Sequence, residues 1–321
     1  MSLFPSLAIR AIGAACRVAF CACTAVSAVH GQTTPTTRGA LLVPASWLVQ
    51  HLRDPDLVLL HVGDKAEYDA RHIPGARFVS LDQISASDHG GAGGLMLEMP
   101  PSDTLRAHLA GLGISDRSRV IVYYGKDWVT PATRVIHTLE YAGLGAGASL
   151  LDGGMLAWIK ERNAVTDVVP GTREGTLRTL KLKHVIVDAE FVRAHLGQPG
   201  WSVVDGRNGS FYDGVQSGRN MDRSDQRPGH IAGALSVPFT EITDADLRLK
   251  SAAELEALFT KAGVKPGDIV IGYCHIGQQA TGMLFAARTL GHQVVLYDGS
   301  FEDWSRRADF PVENPSAKAK P

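Results

Sequence analysis

Much of this sequence occurs twice. Val43-Pro-Ala-Ser-Trp-Leu with His51-Leu52 returns 144 positions later as Val187-Asp-Ala-Glu-Phe-Val with His195-Leu196. The same offset carries Leu57-Val-Leu-Leu-His-Val onto Trp201-Ser-Val-Val-Asp-Gly. His72-Ile-Pro-Gly-Ala reappears as His230-Ile-Ala-Gly-Ala, and Asp152-Gly-Gly with Trp158 reappears as Asp298-Gly-Ser with Trp304. A Ser-initiated helix over 102–112 matches one over 251–262, where Ser251 and Glu254 have capping-box spacing. Matches in one order, at offsets between 144 and 158, mark a duplication, so the chain has to fold as two similar units. Each unit alternates short apolar runs with helical ones, which implies an α/β unit with a mainly parallel sheet flanked by helices. Strands are expected over 57–62, 120–124 and 149–151 in the first unit, and over 202–205, 269–273 and 293–297 in the second. The Thr-, Gly- and charge-rich stretch 163–184 reads as the linker, and the tail 312–321 is expected to be loose.

One place breaks the symmetry. The run Asp-Ile-Val-Ile-Gly-Tyr-Cys-His-Ile-Gly-Gln-Gln-Ala-Thr from Asp268 reads as a buried strand, a turn holding Cys274, and a helix beginning near Gln279 with Met283, Leu284, Ala287 and Leu290 on one side. A strand-to-helix turn aims several backbone N–H groups at one point, and the helix dipole adds to them. Both favour a thiolate over a thiol, which makes Cys274 a candidate nucleophile. The plainer reading is a small buried hydrophobe at a strand end.

The rest of the composition narrows the function classes. With 321 residues and a hydrophobic fraction of 45%, the chain has material for about two ordinary domains with proper cores. A formal net charge of −1 leaves no broad basic surface for nucleic acid. The twelve histidines are scattered, with no metal-ligand spacing to Cys274, so neither metal nor cofactor is expected. Residues 1–28 read as an export signal: Arg10 and Arg17 supply charge, 18–26 form an apolar core, Val26-Ser27-Ala28 offers small residues for cleavage, and no acidic residue precedes Asp54. An uncleaved anchor is the competing reading, because 11–29 holds one charge. Cleavage removes Cys16, Cys21 and Cys23, so the exported chain, expected in a bacterial periplasm and free of the membrane, keeps Cys274 as its one thiol.

With these residues in view, the sequence resembles the tandem-domain rhodanese family of sulfurtransferases over about 41–311. The resemblance rests on the paired strand segments, the two His-Ile-x-Gly-Ala segments and the single strand–Cys loop–helix. It implies two rhodanese-like domains, a non-catalytic one over 41–162 and a catalytic one over 185–311. The first-unit position aligned with Cys274 falls near Gly125, where there is no thiol. The implied chemistry is sulfur transfer: Cys274 takes the outer sulfur of a donor such as thiosulfate as a persulfide and yields it to a thiophilic acceptor, cyanide or a thiol. Loop residues His275, Ile276, Gly277, Gln278, Gln279, Ala280 and Thr281 are the expected surroundings of sulfur and donor, with Gly277 permitting the turn. His275 is expected to face donor or solvent. Asp205 and Arg207 match the family's Asp-x-Arg, with an ion pair supporting the loop as the plainer role and donor binding as the sharper one. His72 is similar to a histidine near the domain junction in some members; its plainer role is to hold its own turn, as His230 would in the second unit.

Departures bear on the substrate. The loop carries neither the basic residues of many thiosulfate-using relatives nor the small residues of mercaptopyruvate-using ones. Phe211 stands where the family has a substrate-binding Arg, and His61 where it has an Asp. Arg219, Arg223 and Arg227 are possible replacements, against a default of solvated charge, and Arg207 is the first candidate to meet the donor. These features favour thiosulfate over mercaptopyruvate. A related phosphatase needs Arg at the sixth position after the cysteine, which here is Ala280. A non-catalytic sulfur- or partner-binding module is the remaining alternative, and it gives no reason to keep a lone thiol at this turn.

Overall fold

The computed structural model describes residues 38–86, 94–126, 128–171, 173–218 and 227–318. The segment 1–28, its three cysteines, Arg219 and Arg223 lie outside them.

In the first half, β1 (Leu42–Val43), β2 (Leu57–Val62), β3 (Arg77–Val79), β4 (Arg119–Tyr124) and β5 (Ala148–Leu151) form an all-parallel sheet in the order β1-β5-β4-β2-β3. The second half contains β6 (Ile186–Val187), β7 (Trp201–Asp205), β8 (His230–Ile231), β9 (Leu235–Ser236), β10 (Ile269–Tyr273), β11 (Val294–Tyr297) and β12 (Val312–Glu313). Its main sheet has the same topology, β6-β11-β10-β7-β9, again parallel, and β12 pairs antiparallel with β8. Parallel strands with helices on both faces are buried on both sides, which is why β4 and β10 read as unbroken apolar runs.

Four helices matter below: α1 (Ser102–Gly111), α2 (Thr130–Tyr141), α3 (Ala252–Ala262) and α4 (Gln279–Thr289). The Ser251/Glu254 capping box forms at the start of α3. Ser102 lies inside the first turn of α1, and Pro101 before it provides no side-chain cap. Of the tail expected to be loose, the described part, 312–318, is tied down: Val312 and Glu313 pair with Ile231 and His230, and Ser316 Oγ donates to Gly214 O at 2.9 Å; residues 319–321 lie outside the described residues. The linker is laid along the first half, with Leu177 buried and Lys183 N–H donating to Tyr141 O at 2.9 Å.

The sheets fix how the two repeats superpose. Tyr123 and Tyr273 take the same position, each hydroxyl accepting the amide N–H of the Ile after His72 or His230 at 3.1 Å. The residue matching Cys274 is therefore Tyr124, adjacent to the Gly125 near which the sequence places it. The conclusion that the first half lacks a thiol there is unchanged.

Helices α2 and α4, which leave from these two loops, pack on each other in parallel and in register. Thr133 Oγ1 meets Thr281 Oγ1 at 3.0 Å, Gln278 Nε2 donates to Thr130 Oγ1 at 3.4 Å, and Arg288 Nη2 donates to Glu140 Oε2 at 2.8 Å, each pair 148 positions apart. At these three places an α2 residue thus meets its own counterpart. The pairing sets the two loops side by side at one end of the helix pair, and one apolar core runs through both halves from Leu41 to Leu296. Burial pushes the Glu140 carboxyl up, but Arg288 and Lys183 outweigh it and hold it below the usual carboxylate range.

Close approach of the helices depends on Gly282, whose missing Cβ would stand 2.9 Å from Thr130 Cγ2 and 3.2 Å from Ile242 Cδ1. Gly282→Ala is expected to destabilise the protein by about 1–3 kcal/mol, because overpacking outweighs the better helix propensity of Ala. Urea unfolding checks this, and a variant as stable as wild type would show that the helices have room to spare.

Candidate active site at the Cys274 loop

Cys274 directly follows the last residue of β10 and is fully buried. Its backbone is held on both sides: its N–H donates to Ser300 Oγ at 3.2 Å, and its carbonyl accepts from Phe301 N–H at 3.0 Å. The next carbonyl, of His275, accepts from Glu302 N–H at 3.0 Å. Ser300 Oγ in turn donates to Tyr297 O at 2.9 Å. Ser300 sits at φ +52°, a left-handed conformation that a residue with a Cβ adopts at a cost of about 1–3 kcal/mol. Its counterpart Gly154 has φ +51° and bears no such cost. The strain in the second half therefore coincides with a hydroxyl delivered to the Cys274 amide. Sequence reading passed over Ser300, although the difference between Asp152-Gly-Gly and Asp298-Gly-Ser was its signal.

Beyond Cys274 the chain turns through Gly277 at φ +79° and enters α4 at Gln279. The N–H groups of Ile276, Gly277 and Gln278 have no acceptor among the described residues. His275 is buried, with its ring 4.5 Å from that of Phe211 and perpendicular to it. Gln278 and Thr281 turn to the first half: Gln278 reaches Thr130, and Thr281 Oγ1 lies against Thr133 Oγ1 while donating to Gln278 O at 2.7 Å. Gln279 Oε1 is buried without a partner among the described residues, and Ala280 packs under the close approach of Gly206.

Asp205 and Arg207 form a buried pair at the end of β7. Arg207 donates from Nε at 3.0 Å and from Nη2 at 2.6 Å to the Asp205 carboxylate, and Nη2 also reaches Gly229 O at 2.8 Å. The guanidinium lies over the Phe301 ring at 4.2 Å. At 2% exposure Arg207 has no face to offer a donor anion, so donor binding, the sharper of its two expected roles, does not fit this geometry. A bidentate Arg–carboxylate fork is satisfied from within and braces the strand end beside the loop. Arg227 donates to the carbonyls of Trp304, Ser305 and Arg307, capping a helix end. His72 is buried in the first half, stacked on Tyr68 at 4.0 Å, with Nδ1 against Tyr68 O and Nε2 against Val168 O. His230 makes the same stack on Tyr212 at 3.7 Å. His72 therefore holds its own turn, and its hydrogen bonds do not bring it to the Cys274 loop.

The first half shows what the loop becomes without a thiol. Glu67, the counterpart of Phe211, turns its carboxylate onto Gly125, accepts Lys126 N–H at 3.3 Å and pairs with Lys126 Nζ at 2.6 Å. An internal anion thus sits against that loop, whereas an aromatic ring faces the loop of Cys274. Beside it His61, the counterpart of Asp205, is enclosed by Tyr68, Phe78 and Tyr123, and neither ring nitrogen has a partner among the described residues.

Comparison with known proteins agrees with this geometry. The model of the Rhodanese-like domain matches residues 44–161 and 188–307. The chain is 30% identical over 284 residues to a probable 3-mercaptopyruvate sulfurtransferase of Pseudomonas aeruginosa, covering 85% of this chain and 98% of the relative. It is 29% identical over 276 residues to a thiosulfate sulfurtransferase of the same organism, covering 85% and 97%. Among solved structures, a 3-mercaptopyruvate sulfurtransferase from Escherichia coli superposes with a TM-score of 0.70 at 27% identity, covering 81% of this chain and 98% of that one.

Burial lowers the His61 pKa to about 4, with Glu67 opposing the shift and His72 adding to it. The unfolded imidazole, near 6.5, binds its proton first, so the fold loses stability as pH falls from about 6.5 to about 4. His61→Leu removes this loss. Its stability relative to wild type is expected to rise by about 2–3 kcal/mol between pH 7 and pH 4, read by denaturant unfolding at each pH. A difference that does not change with pH would show that His61 does not titrate in this window.

Proposed function

The chain belongs to the rhodanese-like domain family as a tandem-domain sulfurtransferase, and we propose that Cys274 carries the transferred sulfur, with thiosulfate the preferred donor. The thiolate of Cys274 attacks the outer sulfur of thiosulfate. A new S–S bond forms, the donor's S–S bond breaks, and sulfite leaves with the electron pair. Cyanide or a thiol then attacks the outer sulfur of the persulfide and releases the Cys274 thiolate, so the kinetics are ping-pong. The observation that carries this reading is the loop itself: a thiol at a strand end, its own amide tied to Ser300, followed by three N–H groups without an acceptor among the described residues. Such amides stabilise negative charge on sulfur without reorganising at the moment of reaction.

Donor preference follows from what lines the loop. Arg207 is closed onto Asp205, Arg227 caps a helix end, and the ring of Phe211 faces His275. A carboxylate-bearing donor such as mercaptopyruvate calls for a bidentate cation, and none of these residues offers one. Thiosulfate asks only for hydrogen bonds to a compact anion. We further propose that residues 1–28 direct export to a periplasm and are removed there, on the strength of their charge, apolar core and small-residue end.

Cys274→Ser is expected to fold and to lose transfer from every donor; a variant keeping a tenth of wild-type turnover would sink the assignment. Steady-state rates with both donors test the preference, and faster turnover of mercaptopyruvate would refute the argument from loop charge. The intact mass of protein recovered from a bacterial periplasm is expected to begin near Val29 and to gain one sulfur atom on exposure to thiosulfate. A chain beginning at Met1 in the membrane fraction contradicts export and cleavage.

A further inference from the structure

The duplicated helices differ at one place that touches the candidate active loop. With α2 and α4 in register at 148 positions, Arg134 on α2 corresponds to Gly282 on α4. Nearly all of α2 is buried, and Arg134 is 1% exposed. Its guanidinium crosses into the second half: Nη1 donates to Gly277 O at 3.1 Å and to Asp298 Oδ1 at 2.7 Å, while Nη2 donates to Leu97 O. Gly282, in the matching place, sends nothing back to the loop at Gly125, and its missing side chain is what lets the helices meet.

A buried arginine is a costly way to join two halves, since each charge loses its hydration and recovers it only through good geometry. Here the geometry is spent on one peptide. Gly277 lies in the middle of the loop that follows Cys274, and a planar trans peptide points its C=O and the next N–H in opposite directions. Holding Gly277 O on Arg134 turns the carbonyl towards the first half and the Gln278 N–H the other way, back into the loop. Released, that peptide could rotate and present a carbonyl dipole to a negatively charged sulfur. Asp298 fixes the guanidinium in turn: its Oδ2 accepts Met99 N–H at 2.8 Å, and it stands two residues before Ser300, which holds the Cys274 amide. The first half's arginine and the second half's serine thus secure two successive parts of the same loop.

We infer that Arg134 is a positioning residue for sulfur transfer, through which the first half sets the orientation of the Gly277–Gln278 peptide beside Cys274. This rests on the sulfurtransferase reading of Cys274. It assigns the first half a task in the reaction: that half carries no thiol of its own, and it supplies the clamp on the loop of the half that does.

Arg134→Lys tests it while keeping a cation against Asp298, because a single ammonium cannot span the three oxygens that the planar fork reaches. The expected result is a folded protein whose kcat with thiosulfate, and with mercaptopyruvate where that donor is used, falls on the order of tenfold while KM changes less than about twofold. Arg134→Met combined with Asp298→Asn leaves no unpaired buried charge and is expected to fall towards 10²-fold, again in kcat. Circular dichroism at the assay temperature restricts the comparison to folded protein. Turnover within about twofold of wild type in folded Arg134→Lys, or a drop in melting temperature with kcat intact, overturns the inference and leaves the chemistry of Cys274 standing. Failure of wild-type protein to gain sulfur on Cys274 from either donor overturns the sulfurtransferase reading instead, whatever the variants do.

Discussion

The structure depends on two helices lying parallel, with matched residues of the two repeats meeting along them. Thr133 against Thr281 and Glu140 against Arg288 fix that register, and Gly282 permits the distance. Because each helix leaves directly from a strand-end loop, a parallel pairing brings both loops to one end of the molecule. An antiparallel pairing would have put them at opposite ends. The contacts that the first half makes with the site follow from this: Thr130 can reach Gln278, and Arg134 can reach Gly277, only because the first half's helix starts beside the loop of the second.

Duplication also supplies an internal control on what each residue type does. The position before the aromatic of each half faces that half's loop. Glu67 fills it with a carboxylate balanced by Lys126, and Phe211 fills it with an aromatic ring against His275. At the strand end, an ion pair of Asp205 with Arg207 answers a neutral, enclosed His61. After Asp152 and Asp298, the same left-handed backbone is taken once by glycine and once by serine. In the last two comparisons the second half bears the greater cost, in burial of charge and in backbone strain, and it is the half with the thiol. Strain and buried charge that persist in one copy and are absent from the other mark where selection has kept something beyond folding.

The architecture was legible because the repeat and the apolar runs are long enough to carry a period. The runs over 57–62 and 269–273 are strands with those bounds, and the Ser251 capping box forms as its spacing implies. Edge strands of two or three residues, such as Leu42–Val43 and Leu235–Ser236, were not legible, since no period fits in so short a segment. The Cys274 turn could be read from the change of period around it. Arg134 could not be read, because a lone arginine within an apolar helix shows its partner only once the two halves are docked. Arg207 was visible as a charge near the site, but local sequence does not reveal that Asp205, two residues earlier, already satisfies it.

The apolar core that runs from Leu41 through Val204 and Cys274 to Leu296 bears on what counts as a unit here. Each repeat has its own sheet and its own chain connectivity, yet neither closes its own interior: α2, buried on nearly every side, would lie open to water if the second half were removed. A fragment ending in the linker would keep the full topology of one repeat and expose a helix suited to association with any similar surface, including another copy of itself. The repeat is thus the unit that was copied, while the pair is the unit whose apolar interior is closed.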